Sequence, residues 1–277
     1  MAQINFLYPK SSEVKYKIHT FPDGHEHLEI CSELNHREPL TVTIRIATTD
    51  DLFILLQLKD ICDRHSIRIE QVYITYLMCA RMDRLMSFNE AVDLKIVFDV
   101  LVTAFPKTSF VIFEPHNTRS LLQFGSFLFD DDTFTDYPGV IPDNIGCILL
   151  PDNGAFKRYY HLRFVKDVPF LYASKQRTSN GIQITLPEID IPDDKDILVL
   201  DDLCDGGGTF FALHQNLPEK YKNRVHLVVA HAIQMQAIID LASIYKTITF
   251  TNSYTAWENA VLPDNVNVIQ LWNPKNE

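Results

Sequence analysis

Cations are what this chain of 277 residues is short of: 25 Lys and Arg stand against 36 Asp and Glu, a formal charge of −11 with the histidines neutral. A protein that lives on duplex DNA or an anionic bilayer needs a net or local cationic footprint. Here the cations are scattered among more numerous carboxylates, so neither nucleic acid nor membrane is expected as a partner. Cysteine is sparse too. Cys31, Cys62, Cys79, Cys147 and Cys204 are odd in number and include no C-x-x-C pair, which argues against a disulfide framework or a zinc site and for reduced thiols in the cytosol. No apolar run approaches the ~18 residues of a membrane span. The opening Met1-Ala2-Gln3-Ile4-Asn5-Phe6 has no basic stretch followed by a long apolar one, so nothing directs the chain to export. The expectation is a cytoplasmic globule, since 46% apolar residues is too many for a disordered chain.

The length fits one large domain or two smaller ones, at ~100–200 residues per domain. Short apolar runs at Val42–Ala47, Ile69–Leu77 and Ser109–Phe113 read as strands, and Leu52–Arg64 and Asn89–Ala104 as helices between them. The pattern then resets, with strand-like runs at Gly146–Leu150, Pro169–Ala173, Ile197–Leu200, Val225–Ala230 and Thr247–Thr251, and helices at Phe210–Leu217 and Met235–Tyr245. Strands alternating with helices imply an α/β fold with parallel sheets covered on both faces. An Asp-rich stretch from Asp130 to Asn144, carrying Pro138, Gly139 and Pro142, reads as the connection between two halves of the same plan. The expected domains are residues 1–143 and 144–277.

The most informative stretch is Ile197-Leu-Val-Leu-Asp201-Asp202-Leu203-Cys204-Asp205-Gly206-Gly207-Gly208-Thr209-Phe210. A branched apolar strand ends in two carboxylates, then three glycines, then a Thr placed to cap a helix. Ligands of open α/β sheets bind at the carboxyl ends of strands. Glycines let backbone N–H groups approach a phosphate, and a helix N-terminus favours the anion. The loop is not a Walker A motif, because no Lys follows the glycines, and it is not G-x-G-x-x-G. An EF-hand is excluded by the Asp spacing and the lack of a closing Glu. Asp201 and Asp202 would repel a bare phosphate, so they should face hydrogen-bond donors, most simply the vicinal hydroxyls of a ribose. Phosphate at one end and diol at the other describe a pentose-phosphate pocket; the plain alternative is a solvated Asp/Gly turn.

Asp201 to Thr209 resembles the phosphoribosyl-pyrophosphate motif of the type I phosphoribosyltransferase fold, which ends Asp-Asp-x-x-Asp-Thr-Gly-Gly-Thr. Further stretches, in order along almost the whole chain, resemble the ribose-phosphate pyrophosphokinases (PRPP synthetases): Phe21-Pro-Asp-Gly24, Tyr76 to Arg84, Glu114-Pro-His116, Pro151-Asp-Asn-Gly-Ala-Phe-Lys-Arg158, Lys175-Gln-Arg177 and Ala230-His231. The resemblance implies two phosphoribosyltransferase-like domains, an ATP-side one and a ribose-phosphate one, and transfer of the β,γ-diphosphate of ATP to the anomeric hydroxyl of ribose 5-phosphate with release of AMP. By position, Phe21 would stack on adenine, Asp23 would contact the base, His25 would lie beside it and Arg81 would hold ATP phosphates. His116 and Asp152 would organise Mg²⁺, directly or through water. Lys175 and Arg177, in what reads as a polar loop, would reach the transferring phosphoryl group together with Arg81. Asp201, Asp202, Asp205, Gly206, Gly207, Gly208 and Thr209 would hold the ribose phosphate. A homo-oligomer is implied as well, because the family's ATP site draws residues from neighbouring subunits.

Bottom-up support for these roles is uneven. An Arg after a strand end is a sensible phosphate clamp, because its planar fork matches phosphate oxygens, although Arg81 and Arg84 also read as surface cations paired with Asp83. A lone His such as His116 is more often a satisfied polar residue than a ligand. The chain departs from the family at Gly206, where a Thr is usual, at His25, where an acid is usual, and at Met82 and Met86, where Gln and Asp are common. Loss of the Thr weakens the grip on a terminal 5-phosphate and opens space for a substituted one. This keeps ADP-ribose, the acceptor of some NAD-salvage relatives, beside ribose 5-phosphate. A phosphoribosyltransferase and a catalytically silent regulatory subunit are the remaining alternatives.

Overall fold

A wholly parallel sheet is buried on both faces and needs strands that are apolar throughout; both halves of the chain supply them. The computed structural model describes residues 1–118, 120, 127–129, 135, 137–160, 168–178, 181–257 and 260–272. Residues 130–134 and 136, in the expected connection, lie outside the described residues. The chain forms two compact units, one of Met1–Asp131 together with the terminal stretch beginning at Trp272, the other of Asp132–Leu271.

In the first unit, β1 (Ala2–Asn5), β4 (Leu40–Ile46), β5 (Ile69–Leu77), β6 (Ser109–Ile112) and β7 (Phe127–Phe129) make a parallel sheet in the order β1-β4-β5-β6-β7. An antiparallel hairpin of β2 (Tyr16–Thr20) and β3 (Glu26–Ile30) stands apart from it. Helices α1 (Thr49–Arg64) and α2 (Asp93–Ala104) bury Leu55, Leu58, Phe98 and Leu101 against Val42, Ile44, Val72 and Ile74. The first helix starts earlier than its apolar spacing suggests because Thr48 and Asp51 form a capping box. The Thr48 Oγ1 accepts the Asp51 N–H at 3.2 Å, and the Asp51 carboxylate accepts the Thr48 N–H at 2.8 Å. The second starts later than read: residues 89–92 are not helical, and the Leu94 N–H is taken by the Met82 carbonyl.

In the second unit, β8 (Ile145–Leu150), β9 (Phe170–Tyr172), β12 (Asp196–Cys204), β13 (Val225–Ala232), β14 (Thr247–Thr251) and β15 (Val266–Ile269) form a parallel sheet ordered β15-β14-β13-β12-β8-β9. Helices α3 (Asn153–Tyr159), α4 (Gly208–Asn216) and α5 (Met235–Ala242) pack beside it. All eight residues of β13 are buried, as is most of β12. Two readings from sequence need correcting. The strand read at Ile197–Leu200 runs on through Asp201 and Asp202 to Cys204, because β13 pairs with it as far as Cys204↔Ala232; backbone pairing is indifferent to the polarity of the side chains. The polar loop read around Lys175 is an antiparallel hairpin of β10 (Ser174–Thr178) and β11 (Gly181–Thr185). No helix among the described residues is long and apolar enough to cross a membrane, and all five cysteines are free.

At the amino end of the second sheet, buried His226 lies 2.7 Å through Nδ1 from Thr247 Oγ1 and 3.2 Å through Nε2 from Asp196 Oδ2, which also receives Lys246 Nζ at 2.8 Å. Burial holds the His226 pKa below its ordinary value, with Asp196 opposing and Lys246 reinforcing the shift. A base depressed by burial takes up its proton more readily once unfolded, so the unfolded chain binds more protons below about pH 6.5 and stability rises with pH through that window. His226 should therefore lower stability at about pH 5.5 relative to about pH 7.5, so the change in melting temperature from the lower pH to the higher should be more positive in wild type than in His226→Gln. A wild-type difference unchanged in His226→Gln, followed by scanning calorimetry, would exclude this origin.

Candidate functional site

Strands β8 and β12 are hydrogen-bonded neighbours, so their carboxyl ends lie side by side. Asp152 follows β8 and is the N-cap of α3: its Oδ1 accepts the N–H of Gly154 at 2.8 Å and of Ala155 at 3.0 Å. That leaves Oδ2 facing Lys175 Nζ, 3.5 Å away. Lys175 sits on β10 opposite Ile184, with its side chain only 14% exposed, so the hairpin presents a mostly sheltered ammonium to Asp152 at the carboxyl end of β8. Arg177 is two positions further along the same strand. Arg158, in the last turn of α3, places Nη2 3.7 Å from Asp202 Oδ2. Each of these two carboxylates is thus balanced by a nearby cation from another element.

Asp201 Oδ1 accepts the Asp202 N–H at 2.9 Å. Burial, then the neighbouring Asp202 carboxylate and then Asp152 push its pKa well above the ordinary carboxylate range. A strained acidic pair at a strand end costs stability, and such costs concentrate at functional sites. Cys204 beside it is inert: burial pushes its thiol up to about 12, with Asp201 and Asp205 adding to the effect, so it stays protonated and is a poor nucleophile.

The glycines that follow have separate jobs. Gly207, with φ +74°, is the N-cap of α4, and a Cβ there would lie 3.1 Å from both Leu241 and Phe211. Only glycine meets both demands. Gly206 is exposed and outside the left-handed region, and an added Cβ would meet only Gln234 Nε2, at 3.7 Å. Gly208 opens the helix, so Thr209 lies inside the first turn and is not the cap expected of it. The first turn of α4 closes on the Gly207 carbonyl, which accepts the N–H of Phe210 at 2.9 Å and of Phe211 at 3.0 Å. A strand, a glycine turn and a helix N-terminus in this order are the arrangement that receives phosphate groups. Gly207→Ala should destabilise the fold by about 1–3 kcal/mol, whereas Gly206→Ala should stay within about 0.5 kcal/mol of wild type. Equal effects in denaturant unfolding would mean that the loop is not held as described.

In the first unit, Phe21, Asp23 and His25 share the exposed turn between β2 and β3. The Phe21 N–H reaches the His25 carbonyl at 2.8 Å, the His25 N–H reaches Asp23 Oδ1 at 3.1 Å, and Gly24 takes φ +88°. One oxygen of Asp23 therefore serves its own turn. Phe21, 48% exposed, stacks on His25 with ring centroids 6.0 Å apart and planes within 3°, and His25 meets Phe53 edge-on at 5.5 Å. Arg81 follows β5 and His116 follows β6, its neighbour in the sheet. Asp83 ties these two strand ends together by accepting from Asn117 Nδ2 and from Ser120 Oγ. Desolvation raises its pKa, but those hydrogen bonds outweigh it and hold the carboxyl below its ordinary value. In the sequence Asp83 stands only as the ion-pair partner in the alternative to a phosphate-holding Arg81, and nothing local signals this bracing by Asn117 and Ser120. Arg158, at the end of the Pro151–Arg158 stretch, and Gln234 carry no local signal of their partners either. No group of three His, Cys, Asp or Glu among the described residues is assembled as a metal cage.

No family profile matches the chain. Curated proteins do. A ribose-phosphate pyrophosphokinase of Sulfolobus acidocaldarius is 28% identical over 236 residues, covering 82% of this chain and 79% of that one. One of Sulfurisphaera tokodaii is 26% identical over 228 residues, covering 80% and 77%. Among solved structures, the phosphoribosylpyrophosphate synthetase of Mycobacterium smegmatis superposes with a TM-score of 0.78 over 98% of this chain and 95% of that one, at 17% identity; at that identity the likeness speaks for the fold.

Proposed function

Since the chain is a relative of the ribose-phosphate pyrophosphokinases in sequence and in fold, we propose that it is a diphosphotransferase that moves the β,γ-diphosphate of ATP to the anomeric hydroxyl of ribose 5-phosphate. The observation that carries this reading is the second unit's assembly at neighbouring strand ends. It combines an acidic pair for ribose hydroxyls, a glycine turn leading into a helix N-terminus for phosphate, and Lys175 beside Asp152 where charge would develop. The anomeric oxygen attacks the β-phosphorus, the bond from that phosphorus to the oxygen shared with the α-phosphate breaks, AMP leaves with that oxygen, and the hydroxyl proton passes to solvent. Phosphoryl transfer asks little covalent help from a protein, so positioning and fixed positive charge are the expected devices. In this account Lys175 and Arg177 meet the developing charge, Arg81 holds ATP phosphates, and Phe21 with Asp23 and His25 receives the base. Asp201, Asp202 and Asp205 with the Gly206–Thr209 turn orient the acceptor.

The residues also fit a magnesium ion carried in by ATP. Mg²⁺ keeps several waters and commonly takes one or two carboxylates plus substrate phosphates. Asp152 would take it on Oδ2 in exchange for the Lys175 ammonium that faces that oxygen at 3.5 Å, while Oδ1 is committed to two amides; on the first unit, His116 is the residue that would meet an ion through water. When bound, the ion neutralises charge on the transferring phosphates. The open space at Gly206 favours a second acceptor of the same chemistry, ADP-ribose, whose 5-phosphate carries a substituent.

The test is acceptor-dependent AMP release from ATP and Mg²⁺, followed by chromatography with each acceptor. AMP formed in step with acceptor supports the reading. Release of ADP, or of AMP at the same rate without any acceptor, would remove it.

A further inference from the structure

Gln234 stands just before α5, at the end of β13, the strand that pairs with β12. Its Nε2 donates to Asp205 Oδ1 at 3.0 Å, 29 residues back along the chain. The amide is thus fixed in orientation across the loop that holds Gly206, and it is the atom nearest to where a side chain at 206 would begin. Neither backbone conformation nor packing demands glycine at 206, since φ is unexceptional and the contact at 3.7 Å is an ordinary one. What glycine does there is leave a gap in front of an oriented amide. A carboxamide offers both donors and an acceptor but no charge, so it suits a polar group attached to a phosphate better than it suits a terminal phosphate dianion, which calls for cations.

We infer that Gly206 and Gln234 together form the specificity-determining position of the acceptor site: the gap admits a substituent on the acceptor's 5-phosphate, and the Gln234 amide hydrogen-bonds to it. The class of acceptor is then a ribose whose phosphate is esterified or joined to a further phosphate, as in a nucleoside diphosphate sugar. This rests on the reading of Asp201–Thr209 as the ribose-phosphate site and goes beyond it by naming the residues that choose between acceptors.

The experiment is calorimetric titration of wild type, Gly206→Thr and Gln234→Ala with ribose 5-phosphate and with ADP-ribose, with melting curves to confirm that each variant is folded. The quantity read is the ratio of the two affinities within one protein, which a general loss of stability would not move. Both variants should shift that ratio toward ribose 5-phosphate, Gly206→Thr by about tenfold or more and Gln234→Ala by several-fold, since a lost or blocked polar contact is worth about that much. Ratios within about twofold of wild type in both variants, or a wild type that binds ribose 5-phosphate but not ADP-ribose, would overturn the inference and leave the loop's assignment standing. A wild type that binds neither sugar would overturn the assignment itself.

Discussion

Asp201→Asn should raise the melting temperature by about 2–4 °C while lowering kcat/KM for the acceptor by about 10–100-fold. The stability gain follows from the raised pKa. Burial, Asp202 and Asp152 all disfavour a charge at Asp201, so the fold holds back an ionisation that the unfolded chain permits. The sign is fixed: an acid whose folded pKa is raised contributes stability at low pH and loses it as pH rises through that pKa. Asparagine keeps the shape, cannot ionise and escapes the loss; a gain of about 1 kcal/mol converts to the stated shift for a protein of this size. The loss of activity follows from the same chemistry. A carboxylate accepts from both hydroxyls of a diol, whereas a carboxamide must turn one donor toward them, and a hydrogen bond to a charged group is worth about 1.5–3 kcal/mol. The wild-type KM for the acceptor should also fall as pH rises and Asp201 ionises, and the variant should lack that dependence. Calorimetry with initial-rate kinetics decides the matter: a lower melting temperature with unchanged kcat/KM would make Asp201 a structural residue.

Lys175→Ala should lower kcat by about 100-fold or more with a much smaller change in the KM for either substrate, because a preorganised donor aimed at developing charge is worth about 2.7–4 kcal/mol in the transition state. Its position makes it suited to that part. The side chain is mostly sheltered, the β10–β11 pairing fixes its root, and Asp152 Oδ2 holds the ammonium at 3.5 Å before substrate arrives. Lys175→Arg should recover little, since a wider fork cannot replace a point charge at that distance. If Lys175→Ala kept kcat within about threefold of wild type, a difference of only about 0.7 kcal/mol, the residue would have no part in the chemical step.

How far the sequence could be read depended on what each segment does. Ile197–Leu200 and Val225–Ala230 announced a parallel sheet because strands buried on both faces must be apolar from end to end. The continuation through Asp201–Cys204 and the 174–185 hairpin did not. The β12 extension is set by β13, a partner distant in the chain, whereas the two hairpin strands are sequence neighbours that pair directly; in both, polar side chains hide the strand because pairing is a property of the backbone. The glycine loop was legible by spacing as a turn between a strand and a helix, yet which glycine is structurally required emerges only from φ and from Leu241 and Phe211 packing over Gly207. Thr209 had the right residue type for a cap and missed the position by two. Arg158 and Gln234 were invisible as partners of Asp202 and Asp205, because the fold alone brings each pair together.

The central claim is that the sugar's own anomeric oxygen becomes the bridge to the new diphosphate. It is tested most directly by supplying ribose 5-phosphate labelled with ¹⁸O at that hydroxyl, with ATP and Mg²⁺, and weighing the products. The account predicts that the label stays on the sugar, in the oxygen between C1 and phosphorus, in a product formed one for one with AMP. Label lost from the sugar, or product formed alongside ADP, would contradict it.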